Sequence, residues 1–237
     1  DGGAPNILAN FEYARTDRSL AQIGHGGYDA DNPDNNVTLG DSGDILVTAR
    51  TGSISGRAGT DSRSYVQFGH GGWTSKGAAS GDIILRAGAD FSLIGGTGGS
   101  VDDDKALYAM VGHGGWDSDG TSATGSGHSG NIMVSSGSGA LATAGVGDGL
   151  GDFAGLGDFD LDGIADVINF GADVSGNAGR IGSGVGILLQ GGSGIVNDDD
   201  AFAMIGHVGR SSDGAHNGNI GVAATQGISL LGGTAYR

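Results

Sequence analysis

Gln67-Phe68-Gly69-His70-Gly71-Gly72 decides the fold, because the chain keeps returning to it. The phrase stands first as Gln22-Ile23-Gly24-His25-Gly26-Gly27, then as Met110-Val111-Gly112-His113-Gly114-Gly115 and as Met204-Ile205-Gly206-His207-Val208-Gly209. A worn copy, Asn169-Phe170-Gly171-Ala172, lies between the last two, with alanine in the histidine's place. From copy to copy the spacings are 45, 43, 59 and 35 residues. Self-similarity at such periods is the signature of stacked repeats, each unit burying its apolar face on the next.

Two further strand-like phrases follow within each unit. One opens on a Gly-Asx step, as in Gly43-Asp44-Ile45-Leu46-Val47, Gly81-Asp82-Ile83-Ile84-Leu85, Gly130-Asn131-Ile132-Met133-Val134 and Gly218-Asn219-Ile220-Gly221-Val222. The other closes on a glycine pair, as in Phe91-Ser92-Leu93-Ile94-Gly95-Gly96 and Ile228-Ser229-Leu230-Leu231-Gly232-Gly233. Short runs with partial alternation and Gly/Asx bounds fit strands, and no amphipathic helical segment of useful length is present. The strand phrases keep their lengths while the connections vary, as a solenoid tolerates. The expectation is an all-β parallel β-helix (β-solenoid) of about five three-strand rungs, some 24 Å tall at roughly 4.8 Å per rung. A β-propeller needs a fourth antiparallel strand per unit. Stacking predicts inward columns, one of Ile23, Phe68, Val111, Phe170 and Ile205, another of Ile45, Ile83, Ile132 and Ile220. Asp44, Asp82, Asn131 and Asn219 suit a repeated Asx turn, each side chain bonding its local backbone.

Composition agrees. Glycine is 53 of 237 residues with no Gly-X-Y period, and only 2 prolines occur, so neither collagen nor a Pro-rich linker fits. The net charge of −16 leaves no basic patch for phosphate and argues against nucleic-acid binding. With no cysteine, disulfides, thiolate catalysis and zinc-thiolate sites are excluded. No apolar run is long enough to span a membrane as a helix. The start at Asp1 reads as a mature or excised piece. One solenoid domain is expected over 1–237, with residues 1–12 as an N-terminal extension or cap and 143–166 as an inserted loop.

That insertion holds the sharpest chemical motif, Asp158-Phe159-Asp160-Leu161-Asp162-Gly163-Ile164-Ala165-Asp166. Alternating carboxylates, a turn glycine and a later carboxylate wrap one hard cation in oxygens. Asp158, Asp160 and Asp162 would bind through side chains, Ile164 through its carbonyl, and Asp166 directly or through water. Position twelve is Asn169 rather than Glu, so the motif is not an EF-hand. The stretch from Gly157 to Ile168 looks like the calcium loop of integrin-type FG-GAP repeats, and calcium is the expected cofactor. The competing reading is a solvated acidic loop.

Three other sets recur. Asp17, Asp61, Asp104 and Asp200 precede the first strand of each rung and read as a solvated acidic edge that discourages aggregation, with a cation site as the alternative. His25, His70, His113 and His207 read as a structural stack at a tight turn, broken by Ala172, with a shared metal as the competing reading. Tyr28, Trp73 and Trp116, with Arg210 in the last copy, form either a ladder that stiffens the sheet or an exposed stack for sugar rings. Carboxylates abound, yet none is singled out as the pair that glycan cleavage requires.

The cadence carried by residues 21–27, 42–49 and 52–56, and again through 64–96, 108–134 and 203–233, resembles the repeats of filamentous-haemagglutinin-like bacterial adhesins. That resemblance implies an exported right-handed parallel β-helix on a Gram-negative-type cell surface, serving adhesion or structure. The expected function is a non-enzymatic extracellular fibre or stalk, built by end-to-end stacking of copies or within a longer chain and stabilised by calcium. A glycan- or receptor-binding adhesin module is the alternative, and a polysaccharide-degrading β-helix the third. Neither nucleic acid nor membrane insertion is expected.

Overall fold

The computed structural model describes residues 7–10, 19–28, 40–49, 51–60, 62–98, 106–118, 126–137, 186–193, 200–224 and 226–233. Among these, every regular element is a strand. A lone strand, β1 (Ile7–Asn10), comes first. Then follow β2 (Ala21–Ile23), β3 (Ile45–Ala49) and β4 (Ile54–Arg57), and after them β5 (Val66–Phe68), β6 (Ile83–Ala87) and β7 (Phe91–Ile94). The third group is β8 (Ala109–Val111), β9 (Ser126–Ser129), β10 (Ile132–Ser136) and β11 (Ile187–Gln190). The last is β12 (Ala203–Ile205), β13 (Ala215–Asn217), β14 (Ile220–Ala224) and β15 (Ile228–Leu231).

Strands pair with their counterparts one group away, always in parallel. The sheet orders are β1-β4-β7-β11-β15, β14-β10-β6-β3, β12-β8-β5-β2 and β13-β9. A chain that lays equivalent strands side by side in this way visits three sheets in turn, and we call each such pass a rung. The register is the one that the phrases predict. Ile45 lies against Ile83, Ile83 against Ile132, and Ile132 against Ile220. Burial alternates along β3, β4, β7 and β11, as period-two geometry requires of strands with one face inward. Ile54, Phe68, Ile83, Leu85, Phe91 and Leu93 accordingly lie at the centre of one continuous apolar core.

Three expectations are corrected. Val111 of β8 pairs directly with Ile205 of β12, so no copy of the phrase stands between them; Phe170 and Ala172 lie outside the described residues. The histidine column is therefore unbroken. The last two rungs also carry a fourth strand, β9 or β13, that the phrases do not announce. Finally, the Asx side chains bond upward rather than locally. Asp44 Oδ1 accepts the Asp82 N–H at 2.9 Å, Asp82 Oδ1 the Asn131 N–H at 2.8 Å, and Asn131 Oδ1 the Asn219 N–H at 3.0 Å. In a parallel stack the nearest unsatisfied donor lies on the neighbouring rung, which outcompetes the local turn.

Candidate functional site: the stacked ladders

The Gly-His-Gly-Gly corner, Gly-His-Val-Gly in the last rung, follows the first strand of each rung and brings successive rings into one column. His25 and His70 stack at 4.9 Å, His70 and His113 at 4.9 Å, and His113 and His207 at 5.1 Å, with planes within 9°. The corner needs glycine because the next rung passes very close. A Cβ on Gly112 would lie 1.8 Å from the Gly206 carbonyl oxygen.

His70, His113 and His207 each staple their rung to the one before it through both ring nitrogens. The His25 N–H donates to His70 Nδ1 at 2.8 Å, the His70 N–H to His113 Nδ1 at 3.0 Å, and the His113 N–H to His207 Nδ1 at 3.3 Å. On the other side, Nε2 of His70, His113 and His207 donates to the carbonyls of Gly43, Gly81 and Gly130 at 2.7, 2.8 and 2.7 Å. A backbone N–H can only donate and a carbonyl can only accept, so each of these rings is the neutral Nε2–H tautomer. Protonating Nδ1 would set two donors against each other. Burial, reinforced by the neighbouring imidazoles, lowers the His113 pKa to about 3, and burial lowers that of His207 as well. With both nitrogens of His70, His113 and His207 committed, these rings have no lone pair for a metal.

A shorter column, which the sequence reading missed, repeats the device. The His128 N–H donates to His216 Nδ1 at 2.9 Å, the Ala79 N–H donates to His128 Nδ1 at 3.0 Å, and His128 Nε2 donates to the Ser118 carbonyl at 3.1 Å. The available signal was a histidine two residues ahead of the Gly-Asn step in Gly127-His128-Ser129-Gly130 and Ala215-His216-Asn217-Gly218.

Tyr28, Trp73 and Trp116 do stack, at 4.5 and 5.1 Å and within 6° of parallel. Trp73 thus has a ring on each face. Both tryptophans are partly buried on a second aromatic column, Tyr65, Tyr108 and Phe202, spaced 4.6 and 4.8 Å. Burial raises the pKa values of Tyr65 and Tyr108 well above the usual phenol value. The Tyr108 hydroxyl donates to Gln67 Oε1 at 3.3 Å. The Gln67 amide in turn donates to the carbonyls of His70, Gly112 and Gly114, tying the corner to the rung that follows.

The acidic set behaves differently from expectation at Asp200. That carboxylate is only 2 % exposed and pairs with the Arg210 guanidinium, so it belongs to a structural ion pair and not to a solvated edge. Asp17, Asp61 and Asp104 lie outside the described residues, as do the calcium-loop residues Asp158, Asp160, Asp162, Ile164 and Asp166. Among the described residues no group of three or more His, Asp or Glu is placed to hold a metal ion. No helix among them is long and apolar enough to cross a membrane. No protein-family model, curated protein or solved structure matches the chain.

Proposed function

We propose that the chain is a closed β-solenoid whose role is mechanical: a non-enzymatic segment of an extracellular fibre or adhesive stalk on a bacterial surface. The observation that carries this reading is the bonding of each repeated residue to its own copy. Histidine meets histidine, Asx meets the backbone beside Asx, and aromatic meets aromatic, rung after rung. Side chains that a binding or catalytic site would turn outward are spent on stacking. Such a stack resists pulling along its axis through three sheets at once.

The proposal includes calcium, held by Asp158, Asp160, Asp162, Ile164 and Asp166, as a local stiffener. Its support is the alternation of carboxylates around Gly163. The glycan-binding alternative is weakened by the aromatic column, in which Trp73 offers a sugar ring no free face.

The testing experiment combines three readouts on the purified chain. Small-angle scattering should give a short rod, a broad panel of acidic and neutral glycans should be neither bound nor cleaved, and calorimetry should find one calcium site that Asp160→Ala with Asp162→Ala removes. Turnover of any glycan, lost on changing one carboxylate pair, would overturn the mechanical reading. Glycan binding lost in Trp73→Ala with Trp116→Ala would replace it with the adhesin-module reading.

A further inference from the structure

The last rung exposes apolar side chains that the first rung and the interior bury, and its open hydrogen-bonding groups match those at the first rung. On the last rung, Ile228 and Leu230 are 45 and 50 % exposed, although their counterparts Ile187 and Leu189 are 2 and 0 % exposed. The same rung keeps glycines that nothing in the described structure requires. A Cβ on Gly191 would lie 2.2 Å from the Ala201 oxygen and 2.7 Å from the Gly233 nitrogen; one on Gly95 would lie 2.3 Å from the Leu107 oxygen and 2.7 Å from the Gly192 nitrogen. Gly232, the next member of that column, has nothing within 4 Å, and neither does Gly227. Both are glycines suited to a backbone that would pass over them.

The ladders end with open valences of opposite kind. At the last rung the His207 N–H meets no imidazole and Asn219 Oδ1 meets no N–H among the described residues, although each earlier rung supplies these partners. At the first rung the exposed His25 ring ends the column, and the Asp44 N–H meets no Asx oxygen, among the described residues. Among the described residues, strands β2 and β3 are likewise the edges of their sheets, as β12 and β14 are at the far end.

We infer that the last rung is a receiving face for the first rung of a second copy of this chain. This rests on the stacking reading above and deepens it by naming the partner. The His207 N–H then donates to Nδ1 of the second copy's His25, whose own Nε2 donates to the Gly218 carbonyl. Asn219 Oδ1 accepts the second copy's Asp44 N–H, β12 pairs with β2, and β14 pairs with β3. One condition follows from the third sheet. There β1 already occupies the edge of β4, so β15 joins β4 only by taking the place of β1. Growth is therefore head to tail and proceeds through strand exchange, as an open heterologous interface allows.

Sedimentation velocity of the full chain across a wide concentration range tests this. The expected result is a concentration-dependent series of head-to-tail multimers. Gly232→Val should abolish that series with the melting temperature unchanged, since the added side chain meets nothing inside one copy. His25→Ala, at the opposite end, should weaken association about tenfold, and it serves as the reporter if Gly232→Val proves unstable. A chain that stays monomeric at every concentration overturns the inference, as do multimers indifferent to both substitutions. A monomeric, catalytically inert rod would leave the mechanical role standing within a longer chain; multimers that cleave glycan would do the reverse.

Discussion

The rung built from β5, β6 and β7 and the rung built from β12, β14 and β15 share one sequence cadence but not one environment. Phe91 and Leu93 are fully buried, whereas Ile228 and Leu230, at the same positions, are about half exposed. Ile83 is buried and Ile220 is 50 % exposed. In this stack, then, the same cadence does not fix burial: the first rung keeps Ile45 at 6 % and Ile54 at 0 % exposed, and the last rung loses the cover that its counterparts have. Stability should be graded along the axis, as nearest-neighbour terms dictate.

The harshest way to break this comparison is one substitution made in two rungs. Gly191→Val drives its side chain into the Ala201 carbonyl and the Gly233 amide, backbone atoms that cannot step aside. It should cost more than about 4 kcal/mol, or prevent folding, because overpacking against backbone lies at the extreme of single-residue effects. Gly232→Val should stay within roughly 0.5 kcal/mol in the monomer. Urea unfolding of both variants reads the contrast, and equal costs would refute graded burial.

Histidine replacement comes next. His113→Ala strands the His70 N–H and the Gly81 carbonyl in a buried place and removes stacking on both faces. The expected loss is about 3 kcal/mol from the unsatisfied groups and the cavity. His207→Ala removes the same two bonds but only one stacked neighbour in a less buried rung, so about half that loss is expected.

The pH response sharpens the point. The unfolded chain protonates its histidines near 6.5. Folded His113 stays neutral down to about 3, and the His207 pKa is lowered too. Between those values the unfolded state binds protons that the folded state refuses, so stability is full above about pH 6.5 and declines as the pH falls toward 3. Thermal melts should lose about 2 kcal/mol by pH 4.5, and His113→Ala should flatten that slope. An unchanged slope would mean that the ladder does not depend on the neutral tautomer.

The smallest expected effect is a gain. Val208 holds a φ of 76° at the corner where Gly26, Gly71 and Gly114 hold 98°, 95° and 93°. A β-branched residue is strained there. Val208→Gly should stabilise the last rung by about 1 kcal/mol, narrowing its distance from the interior.

Much of this architecture was legible in the sequence for one reason. Glycines at a fixed point in every rung mark where backbones nearly touch, and the isoleucine after each Gly-Asx step marks an inward column. What escaped depended on partners that no local pattern displays. The His128–His216 column has only two members among the described residues, because Ala79 holds the equivalent place in the rung before. Asp200 reads as one more surface carboxylate until Arg210, ten residues on, folds back over it. The Asx side chains look like local turns because the competing donor on the next rung lies 38 to 88 residues away in the chain. The worn copy misled because resemblance alone cannot tell a rung in the column from a segment that leaves it.

Hydrogen exchange on the monomeric chain at neutral pH tests graded mutual burial most directly. Peptides spanning β5 to β8 and β10 should exchange only through global unfolding, and those spanning β14 and β15 should exchange orders of magnitude faster. Uniform protection from the first rung to the last would contradict the account.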